Sequence, residues 1–234
     1  MVDIHTHFIY GVDDGYKDIE HSMEDLKVEA EMGVTDVICT PHFRKGMFET
    51  HLEIINRHFS VLKEFVTKEK VNINLYLGCE IYCKKMSDLQ EIFQLLDSKK
   101  LNTMNNTKYL LLEFPYNHDV DISEMVYTTL LHKYIPIIAH IERYTYLDYD
   151  KISDLNEMGA LIQTNASAVI GKDGTKAKKL IAKLINNQII DFVASDIHNS
   201  RINYMLKAYN LVRKKYGDAT TKLIFTEKAK EFLL

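Results

Sequence analysis

Histidines and carboxylates recur in this 234-residue chain at the ends of short apolar runs, a placement suited to holding metal ions. His5-Thr-His7 closes a stretch that begins at Val2, and alternation along an extended strand turns both rings to one side. His42 lies in Thr40-Pro-His42 after a second stretch, Glu80 in Gly-Cys-Glu80 after a third, and Glu113 ends a fourth. His140 ends a fifth, Ile-Ile-Ala-His140, and Asp196-Ile-His198 follows another. Imidazoles and carboxylates together suit borderline divalent ions such as Zn, Mn or Fe(II), and this many carboxylates argues against a structural zinc site. Each residue alone has a plainer explanation: a surface or capping carboxylate, or a histidine satisfied by a backbone carbonyl. The joint placement carries the weight.

Gly11-Val-Asp-Asp14-Gly15 reads as a sharp turn, and its position beside the histidine pair makes Asp14 a further carboxylate candidate. Arg143 stands three residues after His140, and Arg201 three after His198. Guanidinium forks match phosphate oxygens, so both are candidates for gripping a phosphoryl group. Arg44 and Lys45 follow His42 and add positive field there. Tyr144, Tyr146 and Tyr149 read as packing residues that could also wall an entrance. The chain has no G-x-S-x-G, Walker loop or G-x-G-x-x-G. A C-x5-R loop is absent too, because Lys45, Lys85 and Leu89 occupy the arginine position after Cys39, Cys79 and Cys83. Cysteine-dependent phosphate ester cleavage is thereby excluded.

These residues need a scaffold that gathers them. Strand patterns fall at residues 2–5, 34–39, 73–77, 109–112, 135–139, 161–164 and 190–194. Helical patterns fall between them at 18–32, 52–66, 88–96, 122–132, 151–158 and 175–186, and then at 204–216 and from 221 onward. Such alternation implies parallel strands covered by helices, either closed into a barrel or left as an open doubly wound sheet. In either case all strand C-termini meet at one rim. Six of the seven strands carry a His, Asp or Glu there, and the sixth strand offers Asn165 instead.

Composition is that of one soluble globular domain: 46% hydrophobic, 26% charged, three prolines and no low-complexity tract. A net charge of -4 gives no footprint for nucleic acid. Three cysteines without a C-x-x-C point to a reducing compartment. No apolar run approaches the ~20 residues of a membrane helix, and the reading is a cytoplasmic protein without a leader.

Taken in order, His5-Thr-His7, Gly-Val-Asp-Asp14-Gly, Thr-Pro-His42, Gly-Cys-Glu80, Leu-Glu113-Phe-Pro, Ala-His140-Ile-Glu-Arg143 and Ala-Ser-Asp196-Ile-His198-Asn resemble the PHP (polymerase and histidinol phosphatase) superfamily. The spacing is closest to its bacterial tyrosine-protein phosphatases of capsule and exopolysaccharide synthesis. The resemblance implies an α/β fold, a single-domain distorted (β/α)7 TIM-like barrel spanning residues 1–234, with a site for three divalent ions. Manganese is the usual assignment, and iron and zinc occur. It implies ligation by His5, His7, Asp14, His42, Glu80, Glu113, His140, Asp196 and His198, with Glu80 bridging two ions and Arg143 and Arg201 gripping phosphate. Two departures, Ile141 for the usual Pro and Ile197 for the usual Ala, touch no ligand. The segment 198–201 is shorter than usual in that branch.

The function so implied is hydrolysis of phosphotyrosine by a metal-bound hydroxide. The expected substrate is the tyrosine-rich tail of a bacterial tyrosine kinase, with no nucleic-acid partner and no membrane insertion. Competing readings are a phosphatase for histidinol phosphate or another small ester, an amidohydrolase, and a non-catalytic module with a relict metal site. The Glu80 and Glu113 carboxylates, the two arginines and the complete ligand set favour phosphate chemistry. Nine ligand candidates exceed what one tetrahedral ion takes. Elemental analysis of purified protein should therefore find more than one divalent ion per chain; metal-free protein whose activity ignores chelators would contradict the metal reading.

Overall fold

The structure, a computed structural model, describes residues 1–199 and 201–233. In chain order the elements are β1 (Val2–Thr6), α1 (Ile19–Glu31), β2 (Asp36–Cys39), β3 (His42–Phe43), α2 (Leu52–Lys68), β4 (Asn74–Leu77), β5 (Glu80–Tyr82), α3 (Met86–Asp97), β6 (Tyr109–Glu113), α4 (Ile122–Leu131), β7 (Ile135–Ile138), α5 (Tyr149–Glu157), β8 (Leu161–Asn165), α6 (Ala166–Ile170), α7 (Thr175–Asn186), β9 (Phe192–Ala194), α8 (Met205–Lys222) and α9 (Lys228–Leu233). Leu234, the end of the last helical pattern, lies outside the described residues.

Every strand pairing is parallel. Two sheets result, β1-β2-β4 and β3-β5-β6-β7-β8-β9. Two of the seven expected strands are each split. Pro41, which has no N–H to give, separates β2 from β3, and Gly78-Cys79 separates β4 from β5. The register runs through the break: Asp36↔Asn74 and Cys39↔Leu77 are followed by His42↔Glu80. Backbone bonds from Gly78 N to Cys39 O (2.8 Å) and from Glu80 N to Pro41 O (3.1 Å) carry the ladder across. Seven strand positions remain. They close where Asp196 N donates to His5 O (2.9 Å) and His7 N to Ile197 O (3.1 Å), joining β1 to the segment after β9. The result is a distorted TIM-like barrel in one domain.

Both faces of the strands are covered, which is why they read as continuous apolar runs; Leu110, Leu111 and Leu112 of β6 are all fully buried. Inside the barrel Val2, Ile4, Ile38, Leu111, Ile137 and Phe192 pack together, with Ala229 and Leu233 of α9 against them. This apolar plug fills the N-terminal half and leaves the polar residues at the other rim. The pairing of β1 with β2 is irregular between Asp3 and Thr6. That irregularity accommodates Ile4 in the plug while its neighbour His5 reaches the rim cluster.

Helix ends follow local chemistry. Asp18 caps α1 by accepting from His21 N (3.0 Å), and Gly33 follows its end at φ +87, where a side chain would be strained. Gly217 interrupts α8 with a non-helical φ of 86.

Asp191, just before β9, ties the C-terminal helix to the barrel. It is buried and accepts from Ile162 N (2.7 Å) and Lys228 Nζ (2.5 Å). Asp191→Ala leaves a backbone N–H and an ammonium without their partner, so chemical denaturation should show a loss of about 2–4 kcal/mol. Lys228→Ala should cost less, because Asp191 keeps its bond from Ile162 N and its burial-raised carboxyl can take up a proton.

Candidate active site

The rim holds what the strands deliver to it. His5 lies in β1 and His7 just beyond. His42 opens β3, Glu80 opens β5 and Glu113 closes β6. His140 follows β7, and Asp196 and His198 follow β9. All are buried except His42, which is mostly covered; Asp14, on the loop after β1, is half exposed.

The cluster centres on Glu80. Its Oε2 lies 3.1 Å from His5 Nε2, 3.3 Å from His7 Nε2 and 3.0 Å from His42 Nδ1, and its Oε1 lies 2.9 Å from His140 Nε2. Asp196 Oδ1 stands 3.6 Å from His5 Nε2 and 3.5 Å from His7 Nε2. Glu113 is 3.7 Å from His140 Nε2 and 4.0 Å from His42 Nδ1. At the entrance Asp14 Oδ1 is 3.5 Å from His42 Nε2 and 3.4 Å from His198 Nε2. The geometry thus brings all nine sequence candidates together.

Three groups of potential ligand atoms lie within 4.8 Å of one another: His5, His7 and Asp196; His42, Glu80 and Glu113; and His7, Asp14, His42 and His198. His140 adjoins the second. His5 Nε2, His7 Nε2, His42 Nδ1, His198 Nε2, Glu80 Oε2 and Glu113 Oε2 are buried without a hydrogen-bond partner. Orphaned polar atoms are costly unless something satisfies them. Atoms each ~2.0–2.2 Å from a common cation lie roughly 3–3.6 Å from one another, the spacing seen here. The residues fit divalent ions.

The other ring nitrogens are held so as to aim these atoms. His7 Nδ1 donates to Asp13 Oδ2 (2.8 Å), His5 Nδ1 to Gln163 Oε1 (3.3 Å) and His198 Nδ1 to Asp196 O (3.0 Å). Each bond leaves Nε2 with its lone pair toward the cluster. Asp13 also accepts from His42 N (2.9 Å) and Gly15 N (2.9 Å). Gln163 accepts from His140 N (2.7 Å) and donates to Asn165, which in turn donates to Asp196 Oδ2 (3.0 Å). Sequence reading missed Asp13 and Gln163. Only the Asp-Asp pair in the turn hinted that one acid would ligate and the other orient. At Gly15 a Cβ would collide with the His7 backbone oxygen, so this glycine sets the approach of the loop.

His140 (φ 32) and Asp196 (φ 52) both adopt left-handed backbone, which non-glycine residues avoid. The strain sits at two candidate ligands just past strand ends, the positions where a site must turn side chains inward.

Burial opposes charge on Glu80 and Asp196, but the surrounding imidazoles outweigh it at both, helped by Arg143 at Asp196, and hold both well below the usual carboxylate range. Burial and the Glu80 charge push Glu113 up to about 7. Burial lowers His5, His7 and His42, yet the facing carboxylates more than reverse this and raise them. Burial and Arg143 depress His140 to about 4. The imidazoles facing it, His198 first and then His42 and His7, hold Asp14 at about 2.

Arg143, on the short turn Ile141–Arg143, and Arg201 meet at Asp196: Nη2 of the first is 2.5 Å and Nη1 of the second 2.7 Å from Oδ2. Both remain partly exposed at the mouth. Lys45 is instead paired with Glu91 (2.5 Å). Tyr144 is buried and accepts from Phe114 N (3.0 Å), a packing role. The three cysteines are buried and free, and burial pushes Cys39 up to about 12, so none is a thiolate at neutral pH.

The family model for capsular polysaccharide synthesis, CpsB/CapC, matches residues 1–234. The chain belongs to the CpsB/CapC family. Among its relatives, tyrosine-protein phosphatase CpsB of Streptococcus agalactiae serotype V is 32% identical, over 100% of this chain and 98% of that protein. Putative tyrosine-protein phosphatase CapC of Staphylococcus aureus is 35% identical over 88% of this chain and 81% of its own. A solved structure from work on YwqE of Bacillus subtilis and CpsB of Streptococcus pneumoniae, described as unique metal-dependent tyrosine phosphatases, superposes with a TM-score of 0.90 at 29% identity, covering 100% of this chain and 94% of that one. A histidinol phosphate phosphatase from Lactococcus lactis, solved with zinc, L-histidinol and phosphate, shares the CpsB/CapC fold at a TM-score of 0.58 and 14% identity, over 91% of this chain and 92% of that one.

Loading such a site means removing protons from Glu113 and from His5, His7 and His42, whose folded pKa values are all raised. Affinity for Mn²⁺ should therefore climb as pH rises through about 7, with protons released on binding. For the metal-free protein the sign is the reverse. A raised carboxyl stabilises fully below its unfolded pKa of ~4.3 and loses that contribution as pH rises through about 7. Calorimetric titration at several pH values checks the first, and thermal melts in chelator the second. Glu113→Gln should flatten the part of each profile centred near 7.

Proposed function

We propose that the chain is a metal-dependent protein-tyrosine phosphatase. The observation that carries this reading is the set of buried, unpartnered ligand atoms gathered at one barrel rim, on a chain of the CpsB/CapC family. In this reading three divalent ions, most readily manganese with iron or zinc as alternatives, would be held among His5, His7, Asp14, His42, Glu80, Glu113, His140, Asp196 and His198. Glu80, at the centre of the cluster, would be shared between two of them. When bound, such ions lower the pKa of water toward neutrality and offset the charge of phosphoryl oxygens.

The remaining work belongs to the chain. Arg143 and Arg201 keep one N–H edge on Asp196 and turn the rest of each fork toward phosphoryl oxygens at the mouth. Asp13, Gln163 and Asn165 hold the ligands still, so no reorganisation is needed as charge develops. Tyrosine has a pKa near ~10, so its phenolate leaves with less protonation than a serine alkoxide requires. The physiological substrate in this reading is the tyrosine-rich tail of a bacterial tyrosine kinase, in the cytoplasm, with a role in capsule or exopolysaccharide synthesis. Residues 1–234 act as one domain. Among the described residues no helix is long and apolar enough to cross a membrane.

The test compares kcat/KM for matched phosphotyrosine and phosphoserine peptides and for histidinol phosphate at equal metal loading. The phosphotyrosine peptide should be hydrolysed fastest; an advantage for histidinol phosphate would move the chain to small-ester hydrolysis. Arg143→Ala and Arg201→Ala should each lower kcat by about 10²–10³. Each single variant should keep its metal, because the other arginine and Asn165 still hold Asp196. Near wild-type turnover in both would remove the phosphate-grip assignment.

A further inference from the structure

Above the cluster, the mouth carries a pair of side chains that neither the ligand geometry nor the Asp196 contacts use. His42 pairs with Glu80 and Phe43 with Ile81, so Arg44 and Tyr82 follow as the next register positions. Strand alternation puts Arg44 on the same face as His42, and Tyr82 on the same face as Glu80, one layer nearer solvent. Tyr82 also pairs in register with Glu113.

The two side chains touch. The Arg44 guanidinium lies over the Tyr82 ring, 4.1 Å from its centroid. Its backbone is fixed as well: Arg44 N donates to Phe48 O and Phe48 N to Arg44 O, both at 2.8 Å. The turn so closed lays Phe48 on the His42 ring, with centroids 5.4 Å apart and planes at 11°. On the loop after β6, Tyr116 is 58% exposed, and Tyr146 donates to Pro115 O (2.8 Å), bracing that loop. Arg143 and Arg201 are turned onto Asp196, and Lys45 onto Glu91. Among the described residues Arg44 makes no ion pair, so its charge and its planar face are engaged only by an aromatic ring.

We propose that Arg44 and Tyr82 form an aryl subsite: the phenyl ring of a phosphotyrosyl group stacks on the Arg44–Tyr82 layer while its phosphoryl group lies over the ligand cluster beneath. This rests on the phosphatase reading and adds where the ring binds. A planar guanidinium stacks on aromatic faces, which an ammonium at the same position does not reproduce. An alkyl phosphate offers no ring, so the subsite discriminates by binding as well as by leaving group.

Phenylphosphonate and methylphosphonate separate those two effects, since neither has a scissile ester. Calorimetric titration of metal-loaded protein with each gives an affinity ratio that reports the ring alone. Wild type should bind phenylphosphonate more tightly, and Arg44→Ala and Tyr82→Leu should each shrink the ratio by roughly 3- to 30-fold. Arg44→Lys should shrink it nearly as much as Arg44→Ala; full retention by Lys would show that charge rather than stacking acts, and would overturn the subsite. An unchanged ratio in Arg44→Ala and Tyr82→Leu, with phosphotyrosine still hydrolysed, overturns the subsite alone. Failure of either phosphonate to bind, with no phosphate released from any ester, takes down the phosphatase reading and the subsite together. Metal content and far-UV circular dichroism of each variant exclude loss of fold as the cause.

Discussion

The Glu80 carboxylate is fully buried and held well below its ordinary pKa, and the rim is arranged around that charge. Four imidazoles from β1, the segment after β1, β3 and the segment after β7 lie within 3.3 Å of its two oxygens. A lone carboxylate taken out of water would cost several kcal/mol, and histidines repay this only by being charged or by sharing a cation with it. With every other potential ligand pulled toward the same point, an ion cluster is the arrangement that satisfies the most atoms at once. The same constraint explains why Glu113 beside it behaves oppositely: two carboxylates this close resist both being charged.

Holding that cluster requires the barrel to close. Asp196 and His198 come from the far end of the chain and reach His5 and His7 because the segment after β9 hydrogen-bonds to β1. Asp3 reinforces the seam, accepting from Ser195 N at 3.1 Å and from His5 N at 3.3 Å. Asp3 in turn contacts Glu29 of α1, and Glu29 accepts from Asn203 beyond β9. Both acids are fully buried, and burial raises both pKa values. The seam between first and last strands is thus polar, and the plug below it is apolar; the plug fixes the strands while the seam fixes the ligands.

Elements were legible where a strong period met clear ends. The helix at 175–186 falls where the spacing of Ile181, Leu184 and Ile185 places it, and Asp18 and Gly33 bracket α1 as their chemistry dictates. Splitting of the strands at Pro41 and at Gly78-Cys79 was not legible, since the apolar pattern ends before each break and resumes for only two or three residues. The short α6 escaped for the same reason. Arg143 and Arg201 were recognisable as rim residues, but not that they share Asp196, because that contact depends on two side chains bending toward one oxygen.

What the sequence determined is the identity and order of the candidate ligands. Each of those residues except Asp14 lies at or just past a strand end, and parallel strands have only one rim for such ends to share, so convergence follows from chain order and periodicity. Tertiary structure alone decided which nitrogen of each histidine faces inward, that Asp13 braces His7 while Asp14 faces His42 and His198, and that Lys45 is spent on Glu91 while Arg44 stacks on Tyr82. Those choices depend on partners dozens of residues away, brought within about 3 Å by the barrel, and hydrogen bonds discriminate at that scale while sequence spacing does not.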